Sequence, residues 1–108
     1  MNIELSKPIA CYFQAANAHD SSLLANCFAE DAVVFDEGQE YRGLAAITAW
    51  NEATTREYDL TLEVVSSAQE GGLTVVTAKA SGRFDGSPAL IDFRFAEAGG
   101  KVTSLRCG

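Results

Sequence analysis

Two side chains in the first third of the chain could share one substrate. Tyr12 lies in an apolar segment with helical spacing, and Asp36 ends the apolar run 32–35. A carboxylate can remove a proton, and a phenol can donate to the negative oxygen that then forms, so the pair is typical of acid–base catalysis. Each residue also has a structural interpretation. Tyr12 could be core packing with its hydroxyl at the rim, and Asp36 could be a turn residue at a strand end.

The elements that must position this pair come from the period of the apolar residues. In the first half of the chain, helical spacing begins at Ile3 and predicts a first helix that ends near His19. A short second helix is predicted to carry Leu23, Leu24, Cys27 and Phe28. After it we expect a strand over 32–36, a turn at 37–38, a brief pairing at 41–42 and a helix over 44–58. Asp20 is the expected N-cap of the second helix, and His19 is expected to be solvated or to cap the first.

The second half reads as four strands over 60–68, 73–84, 89–96 and 101–107. The turn signals Gly71-Gly72, Asp85-Gly86 and Gly99-Gly100 separate them, and such turns favour tight antiparallel hairpins. Helices followed by a meander predict an α+β fold in one domain, 1–108. We expect a cone-shaped, curved, mostly antiparallel sheet wrapped around the N-terminal helices, with a cavity inside.

Composition and charge narrow the classes of partner. The net charge is −7, from 15 acidic and 8 basic residues, and the basic residues are scattered. Nucleic acids and anionic membranes both need a concentrated basic patch, so neither is an expected partner. No apolar stretch approaches a membrane span, and the first residues do not resemble a signal sequence. The expected location is the cytoplasm.

The cysteines and the single histidine give no metal or cofactor signal. Cys11, Cys27 and Cys107 have no CxxC or zinc-type spacing and lie among apolar neighbours, which favours buried free thiols over a disulfide. Asp36, Glu37 and Glu40 form no cation loop. With no glycine-rich phosphate cradle or nucleophile motif, an enzyme with this sequence is expected to need no cofactor and no metal.

The chain also provides a lining for an apolar pocket, where a tyrosine hydroxyl donates best because water does not compete. Side chains alternate between the two faces of a strand, so residues two apart in these strands are expected to face the pocket together. The small residues at positions 78, 80 and 82 predict room for a ring-sized apolar ligand. The predicted ligand-binding residues are Phe13, Trp50, Asn51, Ala78, Ala80, Gly82, Ile91, Phe93, Leu105 and Cys107.

The order of these elements resembles the nuclear transport factor 2-like superfamily, in its SnoaL-like and ketosteroid isomerase-like branch. The resemblance covers nearly the whole chain, through the segments 10–20, 28–36 and 41–43 and the Trp-bearing helix. It implies a cone-shaped α+β barrel, commonly a homodimer through the outer sheet face. It also places Tyr12 on the isomerase tyrosine that donates to the substrate oxyanion and Asp36 on the aspartate that shuttles the proton.

The third catalytic position of the isomerase is not matched. Its protonated aspartate falls at Ile91, and Asp92 is one residue away, so Asp92 would reach the cavity only through a bulge or an alignment slip. Two hypotheses therefore remain. One is a cofactor-independent isomerase-like or polyketide cyclase-like enzyme on a small apolar or polycyclic carbonyl compound. The other is a non-catalytic ligand-binding or dimerisation module of the same fold.

Overall fold

Helices precede most of the strands, as the sequence predicts. The computed structural model describes residues 4–108, so the predicted start of helical spacing at Ile3 lies outside the described residues. The helical segments are α1 (Lys7–Ala18), a 3₁₀ helix (Ser21–Asn26) and α2 (Leu44–Tyr58), and the strands are β1 (Phe28–Asp36), β2 (Gln39–Arg42), β3 (Thr61–Glu70), β4 (Leu73–Ser81), β5 (Ala89–Ala98) and β6 (Lys101–Cys107).

The helix ends follow from local chemistry. Asp20 caps the 3₁₀ helix as predicted, because its carboxylate accepts a hydrogen bond from the Ser22 backbone N–H at 3.1 Å. His19 ends α1 in the left-handed conformation, and its backbone N–H donates to the Ala16 carbonyl at 3.2 Å. Gly43, with φ of +89°, precedes α2, which begins and ends at the predicted residues.

Several boundaries differ from the prediction because strand pairing and backbone contacts set them. The second helix ends at Asn26, and Phe28 begins β1 by pairing with Val102 on β6. Strand β4 stops at Ser81, after which the Arg83 backbone N–H donates to the Tyr58 carbonyl at 2.7 Å. Strands β3 and β5 each run two residues further toward their hairpin turns than predicted.

The six strands form one curved, unclosed sheet in the order β2-β1-β6-β5-β4-β3. Strands β3 to β6 form the predicted antiparallel meander, and β1 joins it by pairing in parallel with β6. The helices lie against one face of this sheet, and the buried apolar side chains of helices and strands form a single core between them. The fold is therefore the predicted α+β type, with β2 and β3 as sheet edges.

The expectation of free thiols is wrong for two of the three cysteines. Cys11 on α1 and Cys27 after the 3₁₀ helix form a disulfide, with their Cα atoms 5.5 Å apart. The two segments pack side by side, so residues 16 apart in sequence meet. Cys107 is free.

Candidate active site

Tyr12 sits in an aromatic cluster and has no polar partner. Its side chain is 3% exposed, and its ring lies 5.1 to 6.5 Å from the rings of Phe13, Phe28, Trp50, Phe93 and Phe95. Within residues 4–108 no hydrogen bond holds its hydroxyl, and that oxygen is not sealed into the core, since no fully enclosed side-chain oxygen there lacks a partner. The hydroxyl therefore borders the cavity that Tyr12 lines.

Asp36 reaches the same cavity from the last position of β1. The indole N–H of Trp50 on α2 donates to Asp36 Oδ2 at 2.9 Å. The Trp50 ring in turn stacks on Tyr12 with 12° between the ring planes. One carboxylate oxygen is thereby anchored, and Oδ1 has no hydrogen-bond donor among the described side chains.

Burial keeps the acidic protons of this site in place. Desolvation raises the pKa of Tyr12 well above its ordinary value of 10.0, and the nearby Cys107 and Asp36 add to the increase. Desolvation, followed by the charge of Asp36, also raises the pKa of the Cys107 thiol far above its ordinary 9.0. At neutral pH the site thus contains a neutral phenol and a neutral thiol near a carboxylate.

These groups line a cavity of about 360 Å³ between the helices and the sheet. That volume lies within the range of small-molecule sites. Its lining consists of Tyr12, Ala16, Asp36, Glu37, Trp50, Asn51, Thr54, Thr55, Leu60, Leu62, Ile91, Phe93, Cys107 and Gly108.

The cavity brings together seven of the twelve residues singled out from the sequence: Tyr12, Asp36, Trp50, Asn51, Ile91, Phe93 and Cys107. Phe13, Ala78, Ala80 and Leu105 lie instead in the sealed core. Gly82 follows β4, and a Cβ there would collide with the Tyr58 carbonyl oxygen. Inward parity identifies the sheet face on which a side chain lies, but it does not show how far along the strand the helices cover that face. These five residues are therefore not part of the cavity lining.

Several lining residues escaped the sequence reasoning. Thr54 and Thr55 lie one helical turn after Trp50 and Asn51, so the helical repeat could have found them. Leu60 and Leu62 enter the cavity at the start of β3, which depends on the long-range placement of that edge strand. Asn51 is 5% exposed, and its amide group donates to the Ser21 hydroxyl at 3.0 Å.

The register of β5 decides the orientation of Asp92. Pairing with β4 runs without a shift from Ala89 to Phe95, so Ile91 faces the cavity and Asp92 faces the opposite side. There Asp92 accepts a hydrogen bond from the Thr77 hydroxyl at 2.7 Å. The cavity therefore has no carboxylic acid beside Tyr12 at that strand position.

The described residues contain neither a metal-binding cluster nor a helix that could cross a membrane. In residues 4–108 no group of three or more His, Cys, Asp or Glu side chains is arranged to hold a metal ion. Across the same range, each helix is too short or too polar for a transmembrane span.

The fold and the cavity define a class of protein: a nuclear transport factor 2-like domain with a pocket between the helices and a curved sheet. Residues 9–107 match the model of the SnoaL-like domain, and the chain belongs to that family. No curated protein matches the sequence.

Solved structures with this fold extend the comparison. A candidate polyketide cyclase from Sinorhizobium meliloti superposes with a TM-score of 0.91 at 35% identity, over 96% of this chain and 95% of that one. A protein with a ketosteroid isomerase-like fold from Catenulispora acidiphila, solved with trimethylamine, gives 0.83 at 17% identity, over 97% and 86%. A cystatin-fold protein from Novosphingobium aromaticivorans gives 0.77 at 15% identity, over 99% of both chains. The last two comparisons concern the fold alone.

Proposed function

We propose that this protein is a cofactor-independent enzyme that forms an enolate from a small apolar or polycyclic carbonyl compound. The observation that carries the proposal is the Tyr12 hydroxyl, which borders the cavity without a hydrogen-bond partner among the described residues, in the same cavity as the Asp36 carboxylate. A ligand oxygen in the cavity would accept a hydrogen bond from this hydroxyl. The similarity to the candidate cyclase of S. meliloti also favours carbonyl chemistry.

The first step would use the free oxygen of Asp36. Oδ1 takes a proton from the carbon next to the carbonyl, the C–H electron pair becomes a C=C bond, and the carbonyl oxygen becomes an enolate oxygen. The Tyr12 hydroxyl donates to that oxygen, and it stays protonated because burial raises its pKa. Trp50 is a positioning residue, since its N–H holds Oδ2.

Two outcomes can follow the same enolate. In an isomerase, Asp36 returns the proton to another carbon of the conjugated system. In a cyclase, the enolate carbon attacks a second carbonyl of the same molecule, a C–C bond forms, and Asp36 gives the proton to the new alkoxide. The shared step is proton removal, so it is the step to test.

The test uses β-tetralone, a ketone whose α-hydrogens exchange with D₂O, and β-naphthol, a planar phenol of the same carbon skeleton. Wild type should accelerate the exchange and should bind the naphthol more tightly, because the phenol resembles the enolate. Asp36→Asn should slow the exchange by roughly 10²–10⁴. Tyr12→Phe should remove the phenol preference and slow exchange by about 10²–10³.

Asp31→Asn is the matched control, because Asp31 is an exposed carboxylate on the same strand outside the cavity lining. It should exchange like wild type. Wild type that neither accelerates exchange nor distinguishes the two ligands would contradict the proposal.

A non-catalytic binding module is the second candidate, and Ile91 favours it. With an apolar side chain at that position, the enolate oxygen lacks the carboxylic acid donor of the isomerase. Ligand binding that depends on Tyr12, without any exchange of the ketone hydrogens, would support this alternative.

A further inference from the structure

The charged side chains that line the cavity are all negative. Asp36 and Glu37 contribute carboxylates, and among residues 4–108 the lining includes no lysine, arginine or histidine. Asp36 is half-buried, whereas Glu37 is exposed, so Glu37 lies where the cavity meets solvent.

The backbone fixes Glu37 in that place. Asp36 pairs with Gln39, so Glu37 and Gly38 form a two-residue hairpin turn, with φ of +52° and +76°. The Tyr58 hydroxyl, from the last residue of α2, lies 3.4 Å from Glu37 Oε1 and donates to it. Glu37, followed by Glu57, also raises the pKa of Tyr58, as expected for a negative potential at this entrance.

Three positive side chains form ion pairs away from the cavity. Arg42 pairs with Glu40 at 2.8 Å, Lys79 with Glu63 at 3.6 Å, and Arg94 with Asp92 at 3.8 Å. Arg106 lines a neighbouring groove beside the hairpin turn, and this groove shares Asp36, Glu37 and Cys107 with the main cavity. Its guanidinium lies 4.5 Å from the centre of the Phe35 ring. Among residues 4–108, neither Asp36 nor Glu37 forms a salt bridge.

We propose that Glu37 selects ligands by charge, so that the cavity accepts uncharged or cationic carbonyl compounds and excludes carboxylates and phosphates. The proposal rests on the proposed function and on the unpartnered Tyr12 hydroxyl, which marks the cavity as a ligand site. Enolate formation is compatible with this field. Asp36 loses its negative charge when it takes the proton, so the total charge in the cavity stays the same.

The experiment compares three probes on one ring system: naphthol, naphthoate and naphthylmethylammonium. Affinities are measured by calorimetry at low ionic strength, and the readout is the ratio of naphthoate to naphthol affinity. Wild type should bind naphthoate at least about tenfold more weakly than naphthol, and the ammonium no more weakly than naphthol. Glu37→Gln should raise the naphthoate-to-naphthol ratio about five- to tenfold, and high salt should raise it in wild type.

Two further variants sharpen the result. Arg106→Gln should lower the ratio, because it removes the positive charge beside Glu37. Glu70→Gln changes the net charge by the same amount as Glu37→Gln, but Glu70 is at the far end of β3 from the cavity leucines, so its ratio should match wild type. If Glu70→Gln raised the naphthoate-to-naphthol ratio as much as Glu37→Gln, the effect would come from net charge alone, and the proposal would be overturned.

The outcomes also separate this inference from the function on which it rests. Equal binding of naphthol and naphthoate by wild type, with binding lost in Tyr12→Phe, would refute charge selection and leave the proposed function intact. Failure of all three probes to bind would contradict both.

Discussion

Tyr12 and Phe13 are neighbours on α1 but belong to two regions built in opposite ways. Phe13 packs into the core, where its ring lies 5.8 Å from Phe95 and 5.4 Å from Phe93, which also borders the cavity. Tyr12 carries one more oxygen than Phe13, and that oxygen borders the cavity without a partner. The core stabilises the fold, whereas the cavity is lined in part by polar groups without a partner among the described residues.

The sealed core should give the largest response to mutation. Phe95 is 1% exposed, so Phe95→Ala removes a ring from a site that cannot collapse around the loss. We expect a decrease of about 3–5 kcal/mol in the free energy of unfolding, measured by urea denaturation. Phe95→Leu should show a clearly smaller decrease in the free energy of unfolding, so the effect can still be measured if the alanine variant does not fold. A loss under about 1 kcal/mol in Phe95→Ala would contradict the tight packing.

The disulfide adds a covalent link to the same region. Cys11–Cys27 closes a loop of sequence separation 16, which corresponds to about 3 kcal/mol of stability in the chain-entropy model. Addition of a reductant should lower the free energy of unfolding of wild type, measured by urea denaturation, by this amount. The double variant Cys11→Ala, Cys27→Ala should not respond to the reductant. Equal midpoints of wild type with and without reductant would mean that the link contributes nothing.

In the cavity, mutation should change rate more than stability. Trp50→Phe keeps a ring next to Tyr12 but removes the N–H that holds Asp36 Oδ2. Loss of a hydrogen bond to a charged group is worth about 2 kcal/mol, so α-hydrogen exchange of β-tetralone should fall roughly thirtyfold. If Trp50 positions the carboxylate, kcat should fall while KM changes little. A rise in KM alone would make Trp50 a wall of the cavity and nothing more.

The same contrast explains how far the sequence could predict the molecule. The bounds of α2 and β6 could be predicted from local signals, because Gly43 precedes α2 and the Gly99-Gly100 turn precedes β6. The start of β1 at Phe28 depends on pairing with Val102, more than 70 residues away, which no local pattern contains. The disulfide was missed for the same reason, since only the packing of α1 against the 3₁₀ helix brings the two sulfurs together.

The candidate site divides along similar lines. Tyr12, Asp36 and Trp50 could be found because chemistry-bearing residues are rare in apolar segments. Ala78 and Ala80 were assigned to the cavity from parity alone, which cannot say where along β4 the sealed core ends. Gly82 did carry a usable signal, because glycine in a strand pattern often marks close backbone approach, here to the Tyr58 carbonyl. Whether these cavity residues bind a ligand stays a prediction.

The smallest expected effect is the loss of folding stability at alkaline pH, which should come from the cavity and not from the core. The folded protein keeps the Cys107 thiol protonated because burial raises its pKa, whereas the unfolded chain ionises it from about its ordinary 9.0. This contribution to stability is complete below pH 9 and is lost as the pH rises toward the folded pKa, at up to about 1.4 kcal/mol per pH unit. Tyr12 adds a similar loss from its ordinary 10.0 upward.

The measurement is the free energy of unfolding from about pH 8 to about pH 10.5. Cys107→Ala should flatten the decline above pH 9, and Tyr12→Phe should flatten it only near the upper end. Phe13→Leu, a change in the sealed core without a titratable group, should lower the whole curve and leave its slope unchanged. If the free energy of unfolding of Cys107→Ala falls with pH as steeply as that of wild type, burial does not raise the pKa of the thiol in the folded protein. The cavity wall around Cys107 would then be more open to water than the structure indicates.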